Sequence, residues 1–238
     1  NGYHQLRVRL GEAAVETCLI VTPDRCWLPE RLSSGGSTAG LAVSLYGLRS
    51  RRNWGCGDFT DLDELAGWAH EAIGASFLGL NPLHVIANRT PYNTSPYLPL
   101  SSFYRNGIYL DIERIPEFMR SKAAQKLREQ TQVEEEIRAL RESEFVEYER
   151  VHRLKTLFLR ILYRQFLRDE RAESVRGAEF RSWCDHEGQF LERFAVFCAL
   201  DERIHRRRPD IWIWPDWPEP YHDPESPETA EFARQNRR

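Results

Sequence analysis

The clearest hydrophobic pattern near the start of the chain is alternation. Leu6, Val8 and Leu10, and then Val15, Thr17, Leu19 and Val21, recur every second position with Gly11-Glu12 between the runs, which predicts the two strands of a β-hairpin. The stretch from Arg31 to Gly40 holds Ser33-Ser34-Gly35-Gly36-Ser37 and few core-building side chains, so it reads as a connection. From Leu41 the period changes. A short apolar strand through Tyr46 is followed by a loop, a helix from about Asp61 to Ile73, and a second apolar strand over Ser76 to Leu80. Thr60 with Asp63 predicts a capping box, and Gly74 the left-handed end of the helix. Leu62, Leu65, Trp68, Ala69, Ala72 and Ile73 give that helix an apolar face. Strand, helix, strand in this order predicts a βαβ unit with parallel strands.

A long loop, Asn81 to Asn106, follows the second strand, and Gly107 to Ile112 reads as a third strand. Loops after parallel strands are where binding groups gather. The charged stretch Arg120 to Arg141 predicts a solvated helix. Two broad helical stripes follow, one of Leu154, Leu157, Phe158, Ile161, Leu162 and Phe166, the other of Phe190, Phe194, Phe197 and Ile204. They are too long for an ordinary crossover between barrel strands and predict a helical insertion. A segment rich in Trp and Pro, Pro209 to Pro227, comes last.

Composition narrows the chemistry. At 238 residues the chain can hold one sizeable core and a smaller appendage, and no run nears the roughly 20 apolar residues of a membrane span. A net charge of -3 offers no general attraction to a polyanion, which argues against nucleic acid and for a neutral partner. The five cysteines, Cys18, Cys26, Cys56, Cys184 and Cys198, form no C-x-x-C pair, and their odd number fits reduced thiols in a cytoplasm. No metal-ligand spacing and no phosphate loop occurs, so neither a metal nor a cofactor is expected.

The most suggestive chemistry lies in Pro91-Tyr92-Asn93-Thr94-Ser95-Pro96-Tyr97-Leu98-Pro99. A pyranose stacks its C–H face on an aromatic ring and needs fixed polar groups for its hydroxyls, while prolines lower the ordering cost of a loop that supplies both. Packing of Tyr92 and Tyr97 onto the body of the protein is the competing reading. Asn53-Trp54-Gly55-Cys56-Gly57-Asp58-Phe59 holds a similar place after the first strand, where Asp58 reads as a backbone cap rather than a reactive group. His84 reads as either a satisfied supporting histidine or a proton carrier. Trp212, Trp214, Trp217 and Tyr221 can form a stacking platform, although tryptophans among prolines also serve as loop anchors.

Several of these segments together resemble one family. Tyr46-Gly47-Leu48-Arg49-Ser50, Asn53-Trp54-Gly55, Gly57-Asp58-Phe59 and Asp61-Leu62, then Leu80-Asn81-Pro82-Leu83-His84, then Ser95-Pro96-Tyr97 with Pro99, Ser101, Asn106, Tyr109 and Asp111, are similar in order and spacing to the 4-α-glucanotransferases of the amylomaltase (disproportionating enzyme) type. Leu98, Leu100 and Cys56 depart from the family's usual residues. The resemblance implies an α/β chain containing part of a (β/α)8 TIM barrel with a helical insertion at about 119–206. Residues 1–30 would be the end of a β accessory domain, and 31–238 the first part of the catalytic barrel. It implies transfer of α-1,4-glucan segments between maltooligosaccharides by a retaining double displacement, with Tyr97, Ser95 and Pro96 at the sugar and Asn93, Trp54 and His84 in support. The family's Arg-x-Asp-His, Glu-Asp-Leu-Gly and later His-Asp carboxylate motifs do not occur here, so no catalytic residue is assigned and the segment alone is expected to be inactive. A non-catalytic glucan-binding or degenerate barrel protein is the alternative.

Overall fold

The computed structural model describes residues 1–89, 94–169 and 174–236. Strands β1 (Gly2–Leu10) and β2 (Ala13–Val21) form the expected antiparallel hairpin, in a register that pairs Val8 with Val15 and Leu6 with Thr17. Because side chains alternate, this register gathers Leu6, Val8, Leu10, Val15, Leu19 and Val21 with His4 and Thr17 on one face, and puts Gln5, Arg7, Arg9 and Glu16 with Tyr3, Cys18 and Ile20 on the other. The apolar face is exposed: Val8 is 51% and Leu10 84% accessible. A single turn of helix, α1 (Glu30–Ser33), interrupts the connection that follows.

Strand β3 (Leu41–Val43), helix α2 (Phe59–Ile73) and strand β4 (Leu78–Leu80) make the predicted βαβ unit, with Leu41 opposite Leu78 in a parallel pair. Both strands are shorter than expected. The backbone tightens into a 3-10 turn at Leu45–Gly47, directly after Ser44 donates its hydroxyl to Asn81 Oδ1 at 3.3 Å. The cap of helix α2 lies two residues before the expected one. Asp58, not Thr60, is the N-cap: its Oδ1 accepts the N–H groups of Thr60 and Asp61 at 3.0 and 3.1 Å, and Asp61 Oδ2 accepts the N–H of Asp58 at 3.0 Å. Gly74 ends the helix at φ 65° as the pattern predicts. Of the apolar face, Ala69 is buried, while Trp68 and Ile73 remain about half exposed at 53% and 50%.

The loop after β4 is more ordered than its composition suggests, since β5 (His84–Val85) pairs antiparallel with β6 (Ser101–Arg105) inside it. The expected strand over Gly107 to Ile112 is absent. Two 3-10 turns stand there, Gly107–Tyr109 and Ile112–Arg114, because Asn106 Oδ1 accepts Ile108 N–H and Asp111 Oδ1 accepts Glu113 N–H at 3.2 Å each. Lys155 completes the arrangement by donating its ammonium to the carbonyls of Ile108 and Leu110, at 2.6 and 2.8 Å. Those are acceptors that a neighbouring strand would otherwise use.

The charged stretch is three helices rather than one: α3 (Pro116–Arg120), α4 (Lys122–Arg128) and α5 (Thr131–Glu142). Ser121 separates the first two by capping Ala124 N–H at 3.3 Å, and Val133, Ile137 and Leu140 turn α5 inward. Helix α6 (Tyr148–Asp169) buries Leu154, Phe158, Leu162 and Phe166 of the first predicted stripe and leaves Leu157 outside. Helix α7 (Val175–Arg207) bends at Gly188, and α8 (Pro227–Asn236) follows the Trp- and Pro-rich segment.

Two cores result. The larger joins Leu45, Trp54, Ile108, Ile137, Leu140 and Phe158, so the βαβ unit and helices α3 to α6 share one interior. The smaller, around Leu200, Ile204, Ile211, Trp217 and Phe232, holds α7 to α8. Gly55 is one of the tight points of the larger core. At φ 83° it occupies backbone space that L side chains rarely adopt, and an added Cβ would lie 2.6 Å from Leu140 Cβ and 2.7 Å from its carbonyl oxygen. Gly55→Ala is therefore expected to cost about 2–3 kcal/mol, read as a lower denaturant midpoint at an unchanged slope.

Candidate functional site

The site grows from the carboxyl ends of the two parallel strands. Past β3, Tyr46 carries its hydroxyl to Asn81, the first residue after β4, whose Nδ2 donates to it at 3.2 Å; with the Ser44 contact this ties the two strand ends together. Beyond Asn81 the chain is held at the base of its loop. Asn106 N–H donates to Leu83 O at 3.0 Å and Leu100 N–H to Val85 O at 2.9 Å, so the described residues 86–89 and 94–99 lie beyond a closed neck.

Inside that neck Asn88 and Asn106 exchange amide hydrogen bonds in both directions, at 3.1 and 2.8 Å. Both are buried. Asn88 sits at φ 54°, a conformation asparagine tolerates better than most residues, and it also bonds Ile86 O and His152 Nδ1. Burial, with Arg89 nearby, pushes the His152 imidazole below its usual range, which favours the neutral ring. Arg89 then clamps the loop to α7 through a bidentate pair with Asp201, at 3.2 and 2.6 Å.

On this support a turn is presented. Ser95 Oγ accepts the N–H of Tyr97 at 3.3 Å and Ser95 O accepts that of Leu98 at 3.1 Å, while Pro96 is buried beneath the turn. Tyr97 is thereby held by its backbone with its side chain outside, 68% accessible, next to Leu98 at 73%. Asn93, like Tyr92, lies outside the described residues.

The remaining two candidates belong to the support. Trp54 is 3% exposed, packs edge-on against Phe158 at 4.8 Å and donates Nε1–H to Glu113 at 3.1 Å, so it offers no open face for stacking. His84 lies on β5 opposite Arg105 in a half-buried position, and its Nδ1 is buried without a hydrogen-bond partner. Thus the structure brings Ser95, Pro96 and Tyr97 together in one turn, His84 to the neck, and Trp54 into the larger core.

One cluster that sequence reading did not single out anchors the whole arrangement. The Arg52 guanidinium forks onto Asp58 at 2.9 and 2.7 Å and reaches Asp61 and Asp111 at 2.7 Å each. Thr60 donates its hydroxyl to Asp111 at 2.8 Å. The hydrogen bond and charge of Asp58 outweigh burial and raise the Arg52 pKa further. Burial alone would raise Asp61, but hydrogen bonds from Asn53, Ser50 and the Asp58 backbone, with the charge of Arg52, hold it below the usual carboxylate range. Arg141 reaches over from α5 to the carbonyls of Arg52, at 2.8 Å, and Asn53. The signal was present, since Asn53, Asp58, Asp61 and Asp111 all stand in the motif-like segments, but spacing does not reveal that a single arginine joins them. Among the described residues no group of three or more His, Cys, Asp or Glu side chains could hold a metal ion.

Comparison with known proteins gives the family. A family model described as 4-alpha-glucanotransferase matches residues 43–238. The 4-alpha-glucanotransferase of Mycobacterium tuberculosis is 34% identical over 241 residues, covering 98% of this chain and 31% of that protein. That of Haemophilus influenzae is 34% identical over 205 residues, covering 86% of this chain and 29% of its own length. The crystal structure of amylomaltase from Corynebacterium glutamicum superposes with a TM-score of 0.67 at 31% identity, over 98% of this chain and 31% of that one. The chain thus spans less than a third of the length of these relatives. With the motif-bearing loops, their neck and the mixed α/β fold all lying within the matched residues, this chain belongs to the 4-alpha-glucanotransferase family.

Proposed function

We propose that this chain is the first part of the catalytic barrel of a cytoplasmic 4-α-glucanotransferase and supplies one wall of its glucan groove. The observation that carries the reading is Tyr97. An aromatic ring 68% exposed, held by its backbone in a loop closed by a buried Asn88–Asn106 pair, is a prepaid stacking surface, lying beyond the carboxyl end of a parallel strand, where α/β barrels gather their sites. The uncharged run Thr94 to Leu100 around it suits maltooligosaccharides and other α-1,4-glucans. Ser95 and Pro96 hold the turn that carries the ring, His84 adds a polar group at the neck, and Trp54 stiffens the wall from within, while Asn93 is proposed as a sugar contact on the family resemblance alone.

In this reading residues 31–238 form the opening of a (β/α)8 barrel, with α3 to α7 as a helical insertion at about 119–206, and residues 1–30 end an accessory β domain. The hairpin supports the last point, since the exposed face of Leu6, Val8, Leu10, Val15, Leu19 and Val21 is of the kind another sheet layer covers. The family's reaction is a retaining transfer, in which one carboxylate attacks the anomeric carbon and a second about 5–5.5 Å away protonates the leaving oxygen and later activates the acceptor hydroxyl. None of the motifs carrying those carboxylates occurs in this sequence, so its residues bind and orient the glucan rather than break its bonds.

Calorimetric titration of maltoheptaose into the 238-residue chain tests the groove. Saturable heat that Tyr97→Ala weakens at least tenfold is the expected result. Heat unaffected by the substitution would remove Tyr97 from the site.

A further inference from the structure

A second cavity, of about 560 Å³, lies away from the Tyr97 loop between α7 and the Trp- and Pro-rich segment that leads into α8. Its volume falls within the range of about 300–1,000 Å³ usual for small-molecule sites. We propose that it is a second glucan-binding site, taking a short α-glucan segment; the choice of ligand rests on the family reading above, while the existence of the site does not.

The structure separates the two roles open to the tryptophans here. Trp217 is the anchor, 5% exposed and stacked on Phe197 at 5.0 Å in the smaller core. Trp214 is not needed for that. It lines the cavity with 46% of its surface accessible, its ring 5.9 Å from that of His222 and tilted by 60°, with Tyr221 beside them. The His222 ring is itself fixed, because Nε2 must donate to the carbonyl of Trp217, 2.7 Å away. Held aromatic edges of this kind offer a stacking face without further ordering cost.

Across the cavity α7 contributes Gln189 and Arg193, and Arg193 is paired with Glu225 from the opposite rim. An amide, a guanidinium and carboxylates together donate and accept, which is what vicinal hydroxyls require. Arg193, Glu192 and Glu225 carry one net negative charge among them, which disfavours a phosphorylated ligand and leaves a neutral polyol as the better fit. Gly188, at φ 52° and ψ −128°, breaks the helix directly before Gln189.

Helix α7 is also the shared wall. Phe190 and Phe194 stack on Phe103 and Tyr104 of β6, and Tyr104 donates its hydroxyl to Glu187 at 3.0 Å. By the 3.6-residue repeat, that face lies roughly a third of a turn from the one bearing Gln189 and Arg193. The proposed site therefore backs onto the strand that closes the Tyr97 loop, placed to hold a remote part of a long glucan.

Intrinsic tryptophan fluorescence of the 238-residue chain, titrated with maltoheptaose, reads the cavity through Trp214. The expected result is a saturable emission change that persists in Tyr97→Ala, disappears in Trp214→Ala, and moves at least tenfold to higher sugar concentration in Ala230→Phe. Ala230 is an exposed residue of α8 on the rim, so its substitution narrows the cavity without entering the core, and an unchanged melting curve verifies this. A change abolished by Tyr97→Ala, or untouched by Ala230→Phe, would overturn the second site. So would the absence of any emission change while calorimetry still shows binding at Tyr97, an outcome that leaves the first groove standing.

Discussion

Replacing Arg52 with Met is expected to destabilise the chain by about 3–5 kcal/mol, the usual cost of removing one partner from a buried ion cluster. Its guanidinium is 31% accessible, but the carboxylates it joins are not: Asp58, Asp61 and Asp111 have side chains only 2, 5 and 9% exposed. Without the cation the three negative groups remain together in the protein. For a chain of this length the loss corresponds to a fall in Tm of roughly 6–20 °C.

The pH dependence separates lost charge from lost packing. In the native protein Asp61 is held below its unfolded pKa, so its stabilising contribution is complete above about pH 4 and is lost as pH falls through the folded value. In Arg52→Met the clustered carboxylates repel one another, and protonation relieves that repulsion. Melting curves at pH 7 and pH 5 are thus expected to show the deficit of the variant shrinking at the lower pH. A deficit that stays constant would mean that the guanidinium acts by packing alone. Because Asp58 caps α2 and Asp111 starts the turn that leads into α3, the cluster joins the loop after β3 to the helices beneath the site.

Replacing Tyr97 with Ala should have the largest effect on glucan binding and almost none on stability. The side chain is mostly in solvent, so little burial is lost on its removal, while a fixed aromatic anchor in an interface is commonly worth about 2–3 kcal/mol. Affinity for maltoheptaose is then expected to fall about 30–150-fold. Ser95→Ala should act in the same direction but more weakly, because it removes the hydroxyl that accepts the Tyr97 N–H and not the ring. An equal loss of affinity and melting temperature in Tyr97→Ala would indicate that the ring packs the loop rather than the sugar.

What could be read from sequence divides along physical lines. The hairpin, the βαβ unit and the long amphipathic helices were legible because local alternation and helical periodicity specify them, and Gly74 because only its conformation suits that helix end. The region after Asn106 misled for a physical reason. Ile108, Leu110 and Ile112 alternate as a strand would, yet Asn106 and Asp111 cap successive 3-10 turns and Lys155, 47 residues away from Ile108, takes the carbonyls. Such a long-range donor leaves no trace in a local pattern. The same holds for Arg52, whose Asp111 partner is 59 positions distant, and for the Asn88–Asn106 pair at the neck of the loop.

At the candidate site, Ser95-Pro96-Tyr97 stands out in the sequence because rigid, aromatic and small polar residues are concentrated there. Trp54 drew attention for its residue type, and only packing reveals that its ring is spent on Phe158. The tryptophans near the end of the chain show the converse, since Trp214 and Trp217 look alike in sequence and differ in exposure from 46 to 5%.

The central claim is that this chain is the substrate-facing part of a glucan-transferring enzyme. The most direct test is to incubate maltotriose with the complete polypeptide from the source organism, as wild type and as Tyr97→Ala, and to resolve the products by length. Glucose released together with maltooligosaccharides longer than maltotriose, and strongly reduced in the variant, is the predicted result; no turnover, or glucose and maltose without any longer product, would contradict it.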